Sequence, residues 1–158
     1  MKIGVVSDTH YHPCYFNLER LTPYFKDVDM VVHAGDIGNI EILKFLSKFG
    51  EVKVVKGNND FNYKYLNEKE KFSINNFKIG VTHGHIGNMY NIKENAFKSF
   101  DDIDLIVFGH THKPLVEYYK GVLMVNPGST TRPRAKERIS TIAIIEIENE
   151  INAKIINL

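Results

Sequence analysis

Cysteine and long apolar runs are scarce in this sequence, and neither sign of charge predominates. Cys14 is the one cysteine among 158 residues, so the chain can form no internal disulfide bond and no zinc site built on several thiolates. Twenty Lys and Arg residues against nineteen Asp and Glu residues give a net charge of +1. That charge provides no overall field for holding a nucleic-acid polyanion. The composition therefore favours a reducing compartment and small substrates.

The apolar residues are distributed as in an ordinary globular protein. They make up 43% of the chain and charged residues 25%, which argues against intrinsic disorder and fibrous repeats. The first apolar segment is too short for a signal peptide, and no run approaches the roughly 18 residues that cross a bilayer. No repeat or linker interrupts the chain. We therefore predict a cytoplasmic protein without a membrane segment, folded as a single domain over residues 1–158.

Short β-branched runs alternate with helical patterns in the first two thirds of the chain. Helices are predicted from Asn39 to Gly50, from Asn91 to Phe100 and from Phe16 to Lys26, although Pro23 weakens the C-terminal half of the last. Five runs are apolar on successive residues, as expected of strands covered on both faces. They are Ile3–Val6, Met30–Val32, Val52–Val55, Ile79–Val81 and Leu105–Phe108.

The remaining strand patterns are arranged as hairpins, and they dominate the last third of the chain. Lys120-Gly121 and Asn75-Asn76 are turn signals between apolar runs. The predicted strand pairs are Phe72–Ile74 with Phe77–Val81, Leu115–Tyr119 with Val122–Val125, and Ile139–Glu148 with Ile151–Ile156. Together these patterns predict an α/β fold in which two packed sheets are flanked by helices.

Each of the five buried-strand patterns ends in residues that can bind a metal ion. The segments read SDTH, HAGD, KGNND, THGH and GHTH, and the carboxyl ends of strands in α/β sheets can meet in one crevice. Carboxylate, imidazole and amide oxygen without sulfur suit manganese, iron, cobalt, nickel or zinc better than calcium. The candidate ligands, enough for two ions, are Asp8, His10, Asp36, Asn58, His83, His110 and His112.

Any one of these residues alone would carry little weight. A histidine at a strand end is usually structural, and Asp or Asn after a strand usually forms a turn. For the structural interpretation to hold throughout, however, the coincidence would have to repeat at five strand ends. The combination therefore favours a metal site.

The order of these motifs resembles the calcineurin-like metallophosphoesterase superfamily. Asp-x-His, Gly-Asp, Gly-Asn-x-Asp, His-Gly-His and Gly-His-x-His follow one another between Ser7 and about Ser129. Gly-Asn-Asn-Asp at 57–60, Gly-His-Thr-His at 109–112 and Asn-Pro-Gly-Ser at 126–129 are similar to its small YfcE-type bacterial and archaeal phosphodiesterase branch. The resemblance implies a four-layer α/β/β/α sandwich of two mixed sheets and a phosphoric diester hydrolase.

The resemblance also implies a dinuclear site. A hydroxide that bridges two divalent ions would attack phosphorus in line while the ions offset the developing charge. Manganese is the first expectation, with nickel, cobalt, iron or zinc as alternatives, and the substrate is a small phosphodiester. The implied ligands are Asp8, His10 and His112 for the first ion, Asn58, His83 and His110 for the second, and Asp36 as the bridge.

The candidate catalytic residues are Asp36, Asn58, Asn59 and His85. Asn59 stands where many relatives have a histidine that protonates the leaving group, and an amide cannot act as a general acid. We therefore expect good activity only on diesters with low-pKa leaving groups, such as aryl phosphodiesters. For His85, orienting a ligand, facing the substrate and a purely structural role remain open.

Four other polar residues have two interpretations each. His33 is expected to be buried and hydrogen-bonded rather than directly catalytic. Asp60 could hold Asn58 or a neighbouring histidine, or simply form a turn. Arg132 and Arg134 could bind phosphate, although a solvated loop is favoured for both.

Four other functions compete with a phosphodiesterase. A phosphomonoesterase would differ from a phosphodiesterase only in pocket electrostatics, because a monoester dianion requires more positive charge than a diester monoanion. A protein-interaction scaffold of the same fold, like the phosphoesterase-like subunit of retromer, is disfavoured because every ligand position is filled. Nuclease activity lacks a basic groove, and Gly-Asp-Ile-Gly-Asn at 35–39 lacks the Asp-Arg-Gly continuation of protein serine/threonine phosphatases. The sequence leaves a homo-oligomer open.

Overall fold

The computed structural model describes residues 1–12, 17–136 and 138–158. Its helices are α1 (Thr22–Phe25), α2 (Glu41–Leu46) and α3 (Ile92–Lys98), with 3-10 turns at Leu18–Leu21 and Ser47–Phe49. Its strands are β1 (Lys2–Val6), β2 (Met30–His33), β3 (Glu51–Val54), β4 (Lys69–Ile74), β5 (Phe77–Thr82), β6 (Leu105–Val107), β7 (Leu115–Tyr119), β8 (Val122–Asn126), β9 (Thr141–Ile147) and β10 (Ile151–Asn157).

The strands form two five-stranded mixed sheets. The first sheet has the order β10-β9-β1-β2-β3 and the second has the order β4-β5-β6-β8-β7. Strands β1, β2 and β3 are parallel, with Ile3 opposite Met30 and Met30 opposite Glu51. Strands β5, β6 and β8 are also parallel. Each sheet therefore brings three consecutive carboxyl ends to one edge.

Apolar side chains are buried in three layers, which gives the predicted α/β/β/α sandwich. Val5, Val32, Val81 and Val107 belong to the layer between the sheets. On the outer face of the first sheet, side chains such as Val31 pack against Phe25 and Leu46, and on the outer face of the second sheet the partner is Ala96 of α3. Burying each large side chain stabilises the fold by about 1.5–3 kcal/mol.

Two strand glycines admit aromatic rings into the outer layers. A Cβ added to Gly4 would lie 2.8 Å from Cε1 of Phe25, and one added to Gly80 would lie 2.8 Å from Cε2 of Phe100. Both are shorter than a normal carbon–carbon contact, so these rings could not pack so close to any larger residue.

The predicted elements are present, with two corrections. Pro23 does not interrupt the first helical region, because it lies in the first turn of α1, where its missing N–H group needs no partner. The start of that prediction at Phe16 lies outside the described residues, as does Cys14. Val52 and Val54 are only half-buried, because β3 is an edge strand, so the expectation of cover on both faces is wrong there.

Two helix boundaries follow the predicted signals. Asn91 caps α3 by accepting a hydrogen bond from the Glu94 N–H group, and Gly50, at φ 145°, ends the helical segment that begins with α2. Among the described residues, no helix is both long and apolar enough to span a bilayer.

Candidate metal centre

All seven predicted metal ligands follow parallel strands, and the packing of the two sheets brings them together. The first sheet contributes ligands after β1, β2 and β3, and the second sheet contributes ligands after β5 and β6. Four of the ligands, Asp8, His10, Asp36 and His112, each offer one atom that lies within 4.8 Å of the others. A metal ion at their centre would be within reach of all four.

Left-handed backbone conformations bend the chain at five of the seven candidate ligands. The φ angles are 50° at Asp8, 36° at His10, 56° at Asp36, 69° at His110 and 57° at His112. Such angles are uncommon outside glycine, cost on the order of 1–3 kcal/mol each and cluster at functional sites. The fold thus maintains local strain where it gathers these side chains.

The first group of side chains lies between the ends of β1 and β6. His112 Nε2 is 3.3 Å from Asp8 Oδ1 and 3.3 Å from His10 Nε2. His10 Nε2 is also 3.5 Å from Asp36 Oδ2. Two imidazoles and two carboxylates therefore point at a common centre.

The second group lies on the other side of Asp36. Asn58 Oδ1 is 3.1 Å from His83 Nε2 and 2.8 Å from His110 Nδ1. His83 Nε2 is 3.5 Å from the same Asp36 Oδ2 atom that faces His10. A single carboxylate oxygen therefore lies next to an imidazole nitrogen of each group.

Hydrogen bonds behind the cluster set the orientation of its rings. His83 Nδ1 donates to the Ala34 carbonyl at 2.7 Å, and His112 Nδ1 donates to the Arg132 carbonyl at 2.6 Å. When such a ring is neutral, its lone pair is on Nε2, which faces the cluster. Whenever these rings are neutral, they are therefore in the tautomer that can bind a metal ion.

The carboxylates are held as firmly as the rings. Asp8 Oδ2 accepts from Ser7 Oγ at 2.7 Å and from the His110 N–H group at 2.9 Å. Asp36 accepts from the Asn59 N–H group at 2.8 Å and from Asn59 Nδ2 at 2.6 Å. Asn59 thus positions the carboxylate that lies between the two groups.

Asp60 joins the loops that follow β2 and β3. Its buried carboxylate accepts hydrogen bonds of 2.8 Å from the N–H groups of Asp36, Ile37 and Gly57. Asp60 also forms a turn, since its own N–H group donates to the Gly57 carbonyl at 3.3 Å. Its carboxylate holds backbone groups of the site rather than Asn58 or a histidine. A lone Asp in a turn signal could not have predicted these partners.

A cavity of about 220 Å³ opens onto the cluster. Its lining residues are His10, Asp36, Asn58, Asn59, His110, His112, Arg132 and Arg134.

The family model of the calcineurin-like phosphoesterase superfamily domain matches residues 1–150. The chain belongs to this superfamily.

Relatives in this superfamily match nearly the whole chain. A probable metallophosphoesterase of Methanocaldococcus jannaschii is 37% identical over 161 residues, which covers 99% of this chain and 81% of the relative. A phosphodiesterase of the same organism is 31% identical over 166 residues, covering 95% of each chain. The solved structure of an archaeal phosphodiesterase superposes with a TM-score of 0.77 at 28% identity, and the match covers both chains completely.

A protein of a different kind shares the fold. Vps29 of Entamoeba histolytica, crystallised in complex with Zn²⁺, has a TM-score of 0.76 and 25% identity, and the match covers 99% of each chain. The superfamily fold is therefore found both in named phosphodiesterases and in Vps29.

Burial and opposite charges shift the pKa values of the buried groups in different directions. Burial raises the pKa of Asp8 to about 7, although the charge of His83 opposes the shift. Burial alone would also raise the pKa of Asp36, but hydrogen bonds from His83 and Asn59 and the charge of His83 hold it well below its usual range. Burial lowers the pKa of His83, but the hydrogen bond and charge of Asp36 and the charge of Asp8 together raise it by more. The pKa of His83 therefore lies above its usual value.

The other histidines of the cluster are kept neutral. Burial is the main cause of the lowered pKa values of His10 and His110, and it is the main cause for His112, whose pKa falls to about 4. Neutral imidazole is the form that binds metal ions. The donor set of this superfamily member therefore fits a divalent cation of the manganese-to-zinc range.

Glycines next to the carboxylates make the close approach possible. A Cβ added to Gly57 would overlap the Asp36 carboxylate, and one added to Gly109 would overlap Ser7 Oγ and approach Asp8 Oδ2 to 2.8 Å. The Gly-Asn and Gly-His motifs therefore have a steric reason in this fold.

Two further histidines lie close to the cluster. His33 is fully buried, with Nε2 2.9 Å from Thr9 Oγ1, while Nδ1 accepts from the Gly35 N–H group at 3.2 Å. This confirms the expectation of a buried, hydrogen-bonded residue. The His85 ring lies 5.3 Å from the His83 ring and 6.3 Å from the His110 ring, and its buried Nδ1 atom has no hydrogen-bond partner among the described residues. Its role as a catalytic residue stays a prediction.

The loop after β8 approaches the site. Arg132 and Arg134 line the cavity and are both exposed, so phosphate binding by either arginine stays a prediction. The structure also shows two supports that motif reasoning missed, since Ser129 Oγ donates to the Asp8 carbonyl at 2.7 Å and Thr131 Oγ1 donates to the Thr9 carbonyl at 2.7 Å. The Asn-Pro-Gly-Ser motif was the available signal for this loop.

Proposed function

We propose that this protein is a dinuclear metal-dependent phosphodiesterase, with manganese as the first candidate metal. The observation that carries the proposal is the position of Asp36 Oδ2, which lies 3.5 Å from an imidazole nitrogen of each group of side chains. A carboxylate in this position can be shared by two ions. The 31% identity to a relative named as a phosphodiesterase supports diester hydrolysis.

The side chains divide into two sets of ligands on either side of Asp36. Asp8, His10 and His112 would hold one ion, and Asn58, His83 and His110 would hold the other. When bound, two such ions lower the pKa of a water molecule and offset negative charge that develops on the phosphoryl oxygens. The protein holds the donors in place through the Nδ1 bonds of His83 and His112 and through the Asn59 bonds to Asp36.

Asn59 restricts the range of leaving groups. Its side-chain nitrogen already donates to Asp36, and an amide has no proton to give to a departing alkoxide at neutral pH. General acid help is worth about 10²–10⁴-fold. We therefore infer that aryl diesters, which leave without protonation, are hydrolysed best among simple substrates.

Removal and return of the metal test the proposal. After treatment with a chelator, hydrolysis of bis(4-nitrophenyl) phosphate is measured with and without added manganese. We expect activity only with metal, and we expect the D36N variant to lack it. The D101N variant, which changes an exposed aspartate away from the cavity, is the matched control and should keep the activity.

The alternative proposal is a protein-interaction scaffold, and the similarity to Vps29 is its support. Complete sets of ligand residues on both sides of Asp36 argue for catalysis instead. Absence of hydrolysis with manganese, nickel, cobalt, iron and zinc in turn would favour the scaffold. Hydrolysis of 4-nitrophenyl phosphate in preference to the diester would favour a phosphomonoesterase.

The layer between the sheets also supports a single domain over residues 1–158. It takes side chains from β1 near the start of the chain and from β9 and β10 near its end. Neither end of the described chain could be removed without opening this layer.

A further inference from the structure

Two arginines face the cavity without a partner of opposite charge. Arg132 and Arg134 both line the cavity and are both exposed. Among the residues that the structure describes, neither guanidinium takes part in an ion pair or a side-chain hydrogen bond. An unpaired guanidinium at a cavity wall is available to bind an anion.

The backbone of this loop is fixed to the candidate ligands. The Arg132 N–H group donates to Ser129 Oγ at 2.9 Å, and that hydroxyl donates to the Asp8 carbonyl at 2.7 Å. The Arg132 carbonyl accepts from His112 Nδ1 at 2.6 Å, and the Arg134 N–H group donates to the His112 carbonyl at 3.1 Å. The start of each arginine side chain is therefore held beside the cluster, which reduces the entropy lost when an anion binds.

The arginine charges act on the histidines of the cluster. After burial, the Arg132 guanidinium is among the causes that lower the pKa of His10. Burial also comes first for His112 and His110, and the Arg134 guanidinium contributes to lowering the pKa of both. The two positive charges are therefore electrostatically coupled to the site.

The charge of a simple diester does not account for both arginines. Asp8 and Asp36 are the carboxylates of the candidate ligand set, and two divalent ions would more than neutralise them. The single negative charge of a diester would be met by the ions, and an alkyl or aryl arm carries no further charge. Two unpaired guanidiniums at the same cavity thus leave positive charge that the scissile group does not require.

We propose that Arg132 and Arg134 form an anion subsite that binds a carboxylate or phosphate group on one ester arm of the substrate. The inference rests on the proposed phosphodiesterase function and narrows its substrates to diesters with a charged arm. A planar guanidinium binds such groups through two parallel hydrogen bonds. No bond is made or broken at the subsite, which positions the arm while the ester is cleaved.

Two diesters that share a leaving group test the proposal. One is 4-nitrophenyl phenyl phosphate, and the other is 4-nitrophenyl 4-carboxyphenyl phosphate, which differs by one carboxylate. For the wild-type protein we expect a KM about tenfold lower for the charged diester, with a similar kcat. The R132Q/R134Q double variant should lose this preference and leave the KM of the uncharged diester nearly unchanged.

The control variant is K136Q, which removes an exposed positive charge from the same loop but away from the cavity. It should keep the full preference, which separates a local subsite from a change in net charge. R132Q and R134Q as single variants should each lose part of the preference. The loop should stay folded, because its contacts to Asp8 and His112 use backbone groups and the Ser129 hydroxyl.

Three results would overturn the subsite. Equal KM values for both diesters in the wild type would show that the charged arm is not recognised. An equal rise of both KM values in the double variant would show that the arginines bind the scissile phosphate. The third result is that the wild type prefers 4-nitrophenyl phosphate to the charged diester and that the double variant loses this preference. It would show that the arginines bind the second negative charge of a phosphomonoester rather than a charged ester arm.

A binding measurement keeps the subsite testable if no hydrolysis is found. Calorimetric titration of the manganese-loaded protein with phenyl 4-carboxyphenyl phosphate and with diphenyl phosphate compares the same two arms. Tighter binding of the charged compound that is lost in the double variant would support the subsite even if the phosphodiesterase proposal fails. Equal binding would overturn it.

Discussion

The two sheets contribute different chemistry to the candidate metal centre. The first sheet supplies both carboxylates, the amide oxygen of Asn58 and one imidazole, whereas the second sheet supplies three imidazoles and no oxygen ligand. The negative charge of the carboxylates raises the proton affinity of neighbouring groups, while the imidazoles of the second sheet lie at distances of 2.8–3.9 Å from the oxygens of the first. Neither sheet has a complete site, so the centre depends on how the sheets pack.

The largest expected effect comes from removing one ligand of each sheet in turn. D36N removes charge from the carboxylate that faces both groups, whereas H83Q removes an imidazole of the second group only. We expect about two manganese ions in the wild-type protein, about one in H83Q and less than one in D36N, because a shared ligand affects both ions. Metal content after gel filtration measures this by atomic emission, and equal losses in the two variants would contradict a shared role for Asp36.

A steric change beside Asp36 of the first sheet should reduce activity nearly as strongly as the loss of a metal ligand. G57A places a Cβ against the Asp36 carboxylate, and a displacement of about 1 Å at a reacting centre can cost about 10²-fold in rate. The matched control is G121A, since a Cβ at Gly121 meets no atom within 4 Å and its cost is confined to the turn. Hydrolysis of bis(4-nitrophenyl) phosphate should fall in G57A alone, and a fully active G57A would show that the close contact is not needed.

A smaller effect is expected at Asn59, which follows the last strand of the first sheet and donates a hydrogen bond to Asp36. N59H introduces a group that can protonate a leaving oxygen but loses the amide bond to Asp36. We expect the ratio of activity on methyl 4-nitrophenyl phosphate to that on dimethyl phosphate to fall by up to about 10²-fold, because only the alkoxide leaving group needs a proton. An unchanged ratio would mean that water or another residue already supplies that proton. N59Q keeps an amide and serves as the control.

The smallest effect concerns stability below neutral pH. Burial lowers the pKa of His33 to about 3 from an ordinary value of 6.5, so unfolding takes up a proton between these values. The stabilising contribution is therefore complete above pH 6.5 and is lost as the pH falls toward about 3. Urea unfolding of metal-free protein should show a weaker pH dependence in H33Q than in the wild type, and parallel curves for the two proteins would contradict this assignment.

Much of the fold could be predicted from local patterns. The runs that became β1, β2 and β5 are apolar on successive residues, and Asn91 and Gly50 are ordinary helix boundary signals. The errors have physical causes that local patterns do not contain. Pro23 is compatible with helix because of where the first turn begins, and β3 is half-exposed because no strand follows it in the sheet.

Much of the candidate site could be predicted as well, but as a set of residue types rather than as a geometry. Motif order was enough to name seven candidate ligands, and the structure brings four of them, Asp8, His10, Asp36 and His112, within reach of one ion. That all seven bind metal stays a prediction. The residues that hold the candidate ligands in place were harder to predict. Asp60 accepts hydrogen bonds from three backbone N–H groups, and Ser129 donates to the carbonyl of Asp8, 121 residues away in the chain. Arg132 and Arg134 were predicted to lie on a solvated loop, and the sequence does not show that this loop leads them to the cavity.

The sequence by itself determined which donor atoms this superfamily member can offer and which ones it lacks. Carboxylates, imidazoles and an amide without thiolates limit the choice of metal, and the amide of Asn59 cannot act as a general acid, because both limits follow from the chemistry of the side chains. The tertiary structure alone decided that Asp36 faces both groups and that two arginines share their cavity. Those relations join residues from separate strands and loops, and they exist only once apolar burial has brought the carboxyl ends of the two sheets together.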